Sequence, residues 1–255
     1  MHPDAILERT QWDTFWLPSD ATQVDRPALG YTHCPRDQTY LNQVYRTRLS
    51  PDAVEAAIAE VVAAHAGRVS RWSLVPDSAP ADLARHLEAA GYRRYGEHRG
   101  AVLPVDDWQT VHTGHTVRSV RTRAELEDLY AATGAAFGRD AHPGDAAAEA
   151  EVLECRDGSR VQRFVVYEGD RPVCGGGLNL YPELRFGFLW AGGTVPDARG
   201  RGAYRALLQA RVQAARHTGL TAVGLYARTT TSLPIVQRLG FNTHGFMHSW
   251  DRPAS

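Results

Sequence analysis

The sequence predicts an α/β protein of two halves, with mixed, mainly antiparallel sheets flanked by helices. Helix and strand patterns alternate along the chain after residue 50. The halves also resemble each other at one point. In each half a predicted helix ends in a similar tripeptide directly before a strand: Ala-Gly-Tyr ends the helix Leu83–Tyr92, and Leu-Gly-Phe ends the helix Leu233–Phe241. A polar stretch without periodicity, Asp106–Thr116, separates the halves. We therefore expect one domain at 1–110 and a second at 116–255.

The first half contains two predicted helices. Ser50-Pro51-Asp52 supplies an N-cap followed by Pro at the first helical position, and the helix that begins there ends near Gly67. Asp77-Ser78 is expected to begin the second helix, and Gly91 stands where a left-handed C-terminal residue is expected. Two β-rich runs predict strands, at 71–75 and 100–105. The first fifty residues show no pattern that identifies an element.

The second half shows a denser alternation of patterns. Apolar periodicity predicts helices, at 123–137, 146–155, 203–219 and 232–239. Apolar and β-rich runs predict strands, at 117–120, 164–167, 173–180, 186–195, 221–226 and 243–250. One of these strands contains Gly175-Gly176-Gly177. Three glycines weaken a strand and indicate a bulge or a close backbone approach, so we do not interpret them as a phosphate loop.

Composition argues against several classes of protein. The formal net charge is -1 at pH 7, so no whole-molecule field would gather nucleic acid or an anionic membrane. The 3 cysteines are odd in number and lack C-x-x-C spacing, which argues against a disulfide framework or a zinc site. Neither His112-x-x-His115 nor His244-x-x-x-His248 brings a third ligand, so no metal is expected. A cytoplasmic location is expected, because the sequence shows neither a basic leader nor a long apolar run.

The most informative segment follows the apolar strand Phe186–Val195. It reads Pro-Asp-Ala-Arg-Gly-Arg-Gly and leads directly into an amphipathic helix. A strand, a Gly-rich turn and a helix N-terminus form an anion site, because unpaired backbone N–H groups and the positive end of the helix dipole point to one spot. The spacing matches neither the dinucleotide fingerprint nor a Walker loop, which disfavours nicotinamide and ATP chemistry.

The run Val195-Pro196-x-x-Arg199-Gly200-x-Gly202 resembles motif A of the GNAT acetyltransferase superfamily. Leu239-Gly240-Phe241 resembles the end of that family's motif B, and the element order is similar from about 116 to 250. The two halves resemble the tandem arrangement in which a degenerate GNAT-like domain precedes an active one. The first half lacks an Arg-Gly-x-Gly loop, so we expect it to be structural or to supply one wall of the acceptor cleft.

The resemblance implies a site for acetyl-CoA as a co-substrate. The main chain of Thr194 and Val195 would bond the pantetheine arm, and the Val195 N–H would stabilise the oxyanion of the tetrahedral intermediate. Backbone amides would bind the pyrophosphate, namely those of Arg199, Gly200, Arg201, Gly202, Ala203 and Tyr204. The acetyl group would pass directly to an amine, without an acyl-enzyme.

Two positions depart from the family's pattern. Tyr204 stands where relatives carry Gly or Ala, so we expect the loop to sit differently or to use this side chain on the cofactor. Val236 stands where many relatives carry a tyrosine that protonates the leaving thiolate. The usual general acid is therefore absent.

Other residues are candidates for the open roles. Tyr226 is the candidate substitute acid, with a packed strand tyrosine as the simpler interpretation. Because the strand Phe186–Val195 holds no carboxylate, Glu183 just before it is the candidate base, acting through a water; a solvated turn glutamate is the alternative. Thr229 and Ser232 replace the family's frequent Asn and Ala, and their hydroxyls would reach the coenzyme.

We therefore expect an N-acetyltransferase that acts on an amine, with a small-molecule acceptor favoured by the tandem layout. Neither a nucleic acid nor a membrane is expected as a partner, and a homodimer is left open. Two alternatives remain. One is a non-catalytic acyl-CoA-binding or regulatory protein, and the other is an interaction domain in which the Gly-rich turn is only structural.

Overall fold

The computed structural model describes residues 1–139, 141–156 and 158–254 of the chain. The helices within these ranges are α1 (Pro3–Trp12), α2 (Val54–Ala64), α3 (Leu83–Ala89), α4 (Arg123–Phe137), α5 (Asp145–Glu154), α6 (Ala203–His217) and α7 (Ser232–Arg238). The strands are β1 (Thr22–Asp25), β2 (Leu29–His33), β3 (Gln43–Thr47), β4 (Ser70–Leu74), β5 (Arg93–Pro104), β6 (Thr116–Ser119), β7 (Val161–Glu168), β8 (Arg171–Tyr181), β9 (Phe186–Thr194), β10 (Ala222–Arg228) and β11 (Asn242–Arg252). The predicted mixed α/β architecture is confirmed.

The elements predicted from residue 51 onward are present, with two shifted starts. β5 begins at Arg93 and not at residue 100. α3 begins at Leu83 and not at Asp77-Ser78. The Ser78 hydroxyl accepts a hydrogen bond from the Val75 N–H at 2.9 Å and so closes a turn instead of capping a helix. In the first fifty residues, which the pattern left unassigned, the chain forms α1 and β1 to β3.

The chain divides into two compact units. Unit 1 comprises Met1–Ala101, Tyr226–Arg238 and Asn242–Ser255, and unit 2 comprises Val102–Leu225 and Leu239–Phe241. This division differs from a split at the polar stretch, because the C-terminal strand β11 pairs with β4 of the first half, with Trp250 opposite Trp72. The domain boundaries at 1–110 and 116–255 stay a prediction.

Unit 1 contains a sheet with the strand order β1-β2-β3-β4-β11-β5. β1 with β2, β2 with β3, and β4 with β11 pair antiparallel, whereas β3 and β4 are parallel. The helices α2 and α3 contribute apolar residues to its core, in which the Trp72 and Tyr92 rings meet edge to face with centroids 5.9 Å apart. Such an aromatic pair adds to the hydrophobic stabilisation that comes from burial.

A series of buried polar groups, linked by hydrogen bonds, lies within this core and is called the polar chain. The His65 Nδ1 lies 2.6 Å from the Ser70 hydroxyl, which lies 2.7 Å from the Tyr92 hydroxyl, and the His65 Nε2 lies 2.8 Å from the Thr32 carbonyl oxygen. Burial lowers the pKa of His65 to about 4. The imidazole is therefore neutral in the folded protein at neutral pH.

Unit 2 contains a sheet with the strand order β10-β9-β8-β7-β6. β9 and β10 are parallel, and the other pairs are antiparallel. The neighbouring glycines of β9 face opposite helices: a Cβ at Gly192 would meet Tyr204 and Arg211 of α6, and one at Gly193 would meet Ala136 and Phe137 of α4. Because successive residues of a strand face opposite sides, α4 and α6 cover the two faces of this sheet.

The three consecutive glycines of β8 provide room for the packing of unit 2. A Cβ at Gly175 would lie 2.5 Å from Leu129 Cδ1 of α4, and one at Gly177 would lie 2.1 Å from the Trp190 ring. At Gly176 a Cβ would lie 3.0 Å from the Gly192 Cα. The predicted close backbone approach is confirmed.

The polar chain of unit 1 gives a pH dependence that can be measured. The folded pKa of His65 is about 4 and lies below the ordinary histidine value of 6.5, so the unfolded state binds the proton first as pH falls. Between pH 7 and pH 5 this residue should cost about 2 kcal/mol of the free energy of unfolding. Urea titrations at both pH values should show this loss in the wild type and a smaller loss in His65→Gln. An equal loss in both proteins would contradict the assignment.

The close contact between Gly177 and the Trp190 ring predicts that one added methyl group lowers the stability of the protein strongly. Gly177→Ala should lower the free energy of unfolding by about 1–3 kcal/mol, because the indole ring must move. Gly96→Ala on β5 is the matched control, since its Cβ would meet the flexible Arg228 side chain at 3.5 Å. Thermal or urea unfolding checks this prediction, and equal stability of the two variants would contradict it.

Candidate functional site

A β-bulge interrupts the ladder between β8 and β9. Gly175 pairs with Gly193 and Gly177 pairs with Trp190, so Gly176 faces two residues of β9, Ala191 and Gly192. Ala191 has a φ of 47°, which is rare for a residue with a Cβ. Strain of this kind persists only where the surrounding structure enforces it, and it is common at functional sites. The bulge lies near the end of β9, a few residues before the Gly-rich loop.

The pairing between β9 and β10 ends early. Paired residues run from Phe186 with Ala222 to Phe188 with Gly224. β9 continues to Thr194. Beyond Phe188 the second edge of β9 is thus open to a bonding partner other than β10.

The Gly-rich loop has the backbone shape of an anion site. Gly200 and Gly202 have φ values of 76° and 92°, a region that favours glycine. α6 begins directly after Gly202, and its first backbone bond inside the helix is donated by the Ala206 N–H to the Gly202 carbonyl at 3.0 Å. In the described part of the chain, the N–H groups of residues 200–205 donate no turn, loop or capping hydrogen bond to a backbone carbonyl. Such groups at a helix N-terminus bind anions.

Ion pairs hold the charged side chains around the loop. Arg171 bonds both carboxylate oxygens of Asp197, at 2.7 and 2.6 Å, and this hydrogen bonding lowers the pKa of Asp197. Arg201 lies 3.1 Å from Glu168, and its Nη2 donates to the Asp197 carbonyl oxygen at 3.1 Å. The carboxylates near the loop are therefore balanced by arginines and would not repel a phosphate strongly.

Arg199 and Tyr204, two of the predicted cofactor residues, direct their side chains to the protein. Arg199 donates to the carbonyl oxygens of Thr194 and Ala136, both at 3.2 Å. The Tyr204 ring lies so close to Gly192 that a Cβ there would be 2.9 Å from its Cε2, and burial raises the pKa of Tyr204. This inward placement favours the other expectation, that the loop sits differently, and the role of Tyr204 stays a prediction.

Val195 does not have the free N–H group that its predicted oxyanion role requires. This N–H donates to the Val173 carbonyl oxygen in β8 at 2.9 Å. In an antiparallel ladder, hydrogen-bonded pairs alternate with pairs that face the outer edges. Thr194, which pairs with Cys174, therefore directs its N–H to the open edge of β9. Of the two predicted residues, Thr194 and not Val195 has the suitable orientation.

The predicted base Glu183 lies at the wrong end of β9. It belongs to the turn Pro182–Leu184, its side chain is exposed, and its carboxylate lies 3.3 Å from the Arg160 guanidinium. β9 has 9 residues. At about 3.3 Å per residue, this length places Glu183 roughly 25 Å from Thr194. This distance argues against a role as base through a single water, and that role stays a prediction.

Tyr226, Thr229 and Ser232 belong to unit 1, whereas the Gly-rich loop belongs to unit 2. The Thr229 hydroxyl donates to the Glu97 carbonyl at 3.2 Å, and the Ser232 hydroxyl accepts from the Arg228 N–H at 2.8 Å. Burial raises the pKa of Tyr226, so its phenol keeps its proton across the neutral range. The roles of these three residues stay predictions.

Two residues near the loop were not identified from the sequence. His115 lies beside the loop, since a Cβ at Gly202 would be 3.9 Å from its Cε1. Arg211 of α6 is 1% exposed and contacts the bulge. The signal for Arg211 was its spacing, because Ala203, Leu207 and Arg211 recur every fourth residue and so share one helix face.

Known proteins resemble this chain in sequence over its second half and in fold over nearly its whole length. Residues 124–241 match the model of the acetyltransferase (GNAT) family. No curated protein matches the sequence significantly. Within the described residues, no helix has the length and apolar character needed to cross a membrane.

Three solved structures illustrate the likeness in fold. A GCN5-related N-acetyltransferase from Kribbella flavida aligns with a TM-score of 0.71 at 19% identity, over 98% of this chain and 96% of that one. One from Sphaerobacter thermophilus aligns with a TM-score of 0.60 at 18% identity, over 96% and 85%. A tandem GNAT protein from the clavulanic acid biosynthesis pathway aligns with a TM-score of 0.59 at 12% identity, over 98% and 88%.

The motif, the fold and the comparisons agree. The Gly-rich loop and α6 lie inside the matched segment, and the solved structures share the fold across both halves. The chain therefore covers two GNAT-like folds, and its residues 124–241 match the GNAT acetyltransferase family model.

Proposed function

We propose that this protein is an N-acetyltransferase that passes the acetyl group of acetyl-CoA directly to the amine of a small molecule. One observation carries the proposal. The N–H groups of residues 200–205 lie at the start of α6 without backbone acceptors outside regular elements, directly after an open-edged strand. A diphosphate attached to an extended amide-containing arm has the matching chemistry.

The loop would hold the pyrophosphate of the coenzyme. Gly200 and Gly202 let the main chain approach the phosphate oxygens closely, and the N-terminal end of α6 adds its positive dipole. His115 lies at the rim of this loop, with its Nδ1 held 2.8 Å from the Thr113 carbonyl oxygen. Its Nδ1 donates to this carbonyl, so its Nε2 would donate to a phosphate oxygen only in the imidazolium form.

The open edge of β9 would hold the pantetheine arm. An extended amide chain that lies along a free strand edge forms the bonds that a neighbouring strand would form. Thr194 supplies an N–H at this edge, as the alternation in the ladder requires. A bond from such a group to the thioester carbonyl would stabilise the oxyanion that forms when the amine attacks.

Direct transfer is favoured over an acyl-enzyme. Cys174 is the thiol next to β9, and the Thr194 hydroxyl donates to its sulfur at 3.2 Å. It is fully buried, and burial raises its pKa to about 11. A buried thiol that stays protonated is a poor nucleophile, so Cys174 is not suited to carry the acetyl group.

A small-molecule acceptor is favoured by the two-domain neighbours. One of them is a protein of the clavulanic acid biosynthesis pathway, and its alignment covers 98% of this chain. Another structure, which covers 91% of this chain at 14% identity with a TM-score of 0.58, is described as a glucosamine N-acetyltransferase region. Amino groups on small metabolites are therefore the first acceptors to test.

The second candidate function is a non-catalytic acyl-CoA-binding or regulatory protein. Val236, at the position where many relatives carry the acidic tyrosine, is fully buried. Glu183 is paired with Arg160 far from Thr194 along β9. If acetyl-CoA binds tightly without turnover, this second candidate is favoured.

The phosphate site can be tested by calorimetry. Wild-type protein should bind CoA and acetyl-CoA, and Gly202→Asp should weaken both by about 100-fold or more, because a carboxylate would face the phosphates. Gly169→Asp is the matched control, since Gly169 also has a positive φ, of 60°, and lies in open space in the β7–β8 turn. Equal loss in both variants would indicate general damage, and no binding by the wild type would favour the interaction-domain alternative.

Acetyl transfer can be tested with a panel of small amines, including amino sugars and polyamines. Release of free CoA should depend on the amine and should be absent in Gly202→Asp. The rate should rise with pH toward the pKa of the acceptor amine, because only the neutral amine attacks. Binding of acetyl-CoA without turnover on any amine of the panel would shift the assignment to the non-catalytic candidate.

A further inference from the structure

Within the part of the chain that the structure describes, Arg211 is a buried cation without a carboxylate partner. Its side chain lies on α6 and is 1% exposed. Among the described residues it forms no salt bridge, and its Nε and Nη2 have no hydrogen-bond partner. Burial lowers the pKa of Arg211, and only the Tyr204 hydroxyl and the Cys174 thiol oppose that shift.

An arrangement of this kind costs stability. Removal of a guanidinium from water without a counter-charge is unfavourable by several kcal/mol unless hydrogen bonds compensate for it. Arg163, the other buried arginine of unit 2 that the structure describes in full, lies 3.1 Å from Glu151 and 3.6 Å from Glu154. The lack of such a partner at Arg211 therefore calls for a role other than stability.

The contacts of Arg211 converge on the bulge. Its Nη1 donates to the Gly177 carbonyl oxygen at 3.2 Å and to the Trp190 carbonyl oxygen at 3.4 Å. These two residues are the last regular pair before the extra residue of β9. A Cβ at Gly192 would lie 3.2 Å from Nη2 and 2.9 Å from the Tyr204 ring, so α6 packs directly on the bulged main chain.

The bulge determines which N–H groups reach the open edge of β9. Along a strand, successive N–H groups point to opposite edges. One extra residue therefore turns the N–H of every later residue to the other edge. After the bulge, Val195 bonds β8 and Thr194 faces outward. Without the extra residue, the two would exchange roles.

We propose that Arg211 is the positioning residue that holds this bulge, and that it thereby directs the Thr194 N–H to the acyl carbonyl of the bound thioester. This inference rests on the proposed function. Arg211 reaches the carbonyl oxygens of Gly177 and Trp190 from α6, so it does not need to touch the ligand. Tyr204, which replaces the family's small residue, closes the space around the guanidinium.

The test uses Arg211→Lys and Arg211→Met in the full-length protein. Lysine keeps the charge but ends short of the Nη1 position, and methionine removes both charge and donors. Binding of CoA should stay within about threefold of the wild type, because the phosphate loop is unchanged, whereas kcat should fall by about tenfold or more. The matched control is Arg216→Lys, an arginine of the same helix that donates to the Val105 carbonyl.

An infrared measurement separates positioning from a merely structural role. With acetyl-CoA labelled with ¹³C at the carbonyl, the wild type and Arg216→Lys should show the stretch at a lower frequency than in water, as a carbonyl bonded by an N–H does. In Arg211→Lys the frequency should return toward the value in solution. If Arg211→Met does not fold, the comparison rests on Arg211→Lys alone.

The outcomes are distinct. A wild type that does not bind acetyl-CoA would overturn the proposed function itself. A wild type that binds and turns over while Arg211→Lys keeps both its kcat and its carbonyl frequency would overturn only the role of Arg211. An unshifted carbonyl in an active wild type would also overturn that role.

Discussion

One residue of β8 faces two residues of β9, and this mismatch fixes which backbone groups of β9 can bond a ligand. Gly176 and Gly192 permit it, since a Cβ on either would meet atoms about 3 Å away. The Gly-rich loop, the start of α6 and the open edge of β9 all follow within a few residues. Under the proposed function, the orientation of the thioester along β9 would therefore be a consequence of one local irregularity in an otherwise regular sheet.

The parts of the site that depend on local sequence could be predicted from it. Gly200 and Gly202 need positive φ values, and a Gly-rich turn before an amphipathic stripe specifies a helix N-terminus. The sequence could not predict that Thr194, and not Val195, directs its N–H to the open edge of β9. This orientation depends on which residue of β9 bonds Val173 in another strand. The bulge determines which residues of β9 bond β8. The glycines of β8 indicate a bulge without specifying its register.

Charged residues misled the interpretation of α6. Its buried face contains Arg211 together with apolar residues such as Leu207 and Ala215. An arginine is assigned to solvent by default, because burial of a charge is costly. The elements of the first fifty residues were missed for a different reason: their strands are only 4 or 5 residues long, so their period of two has little length in which to appear.

The pairing of β11 with β4 has a consequence for biosynthesis. Unit 1 begins with the first residues of the chain, yet one of its inner strands consists of residues 242–252. The edge of β4 that pairs with β11 must therefore wait until residues 242–252 have been synthesised. Early release of the chain would leave that edge unpaired, so a chaperone that shields strand edges would aid the folding of this protein more than that of a protein whose domains are contiguous.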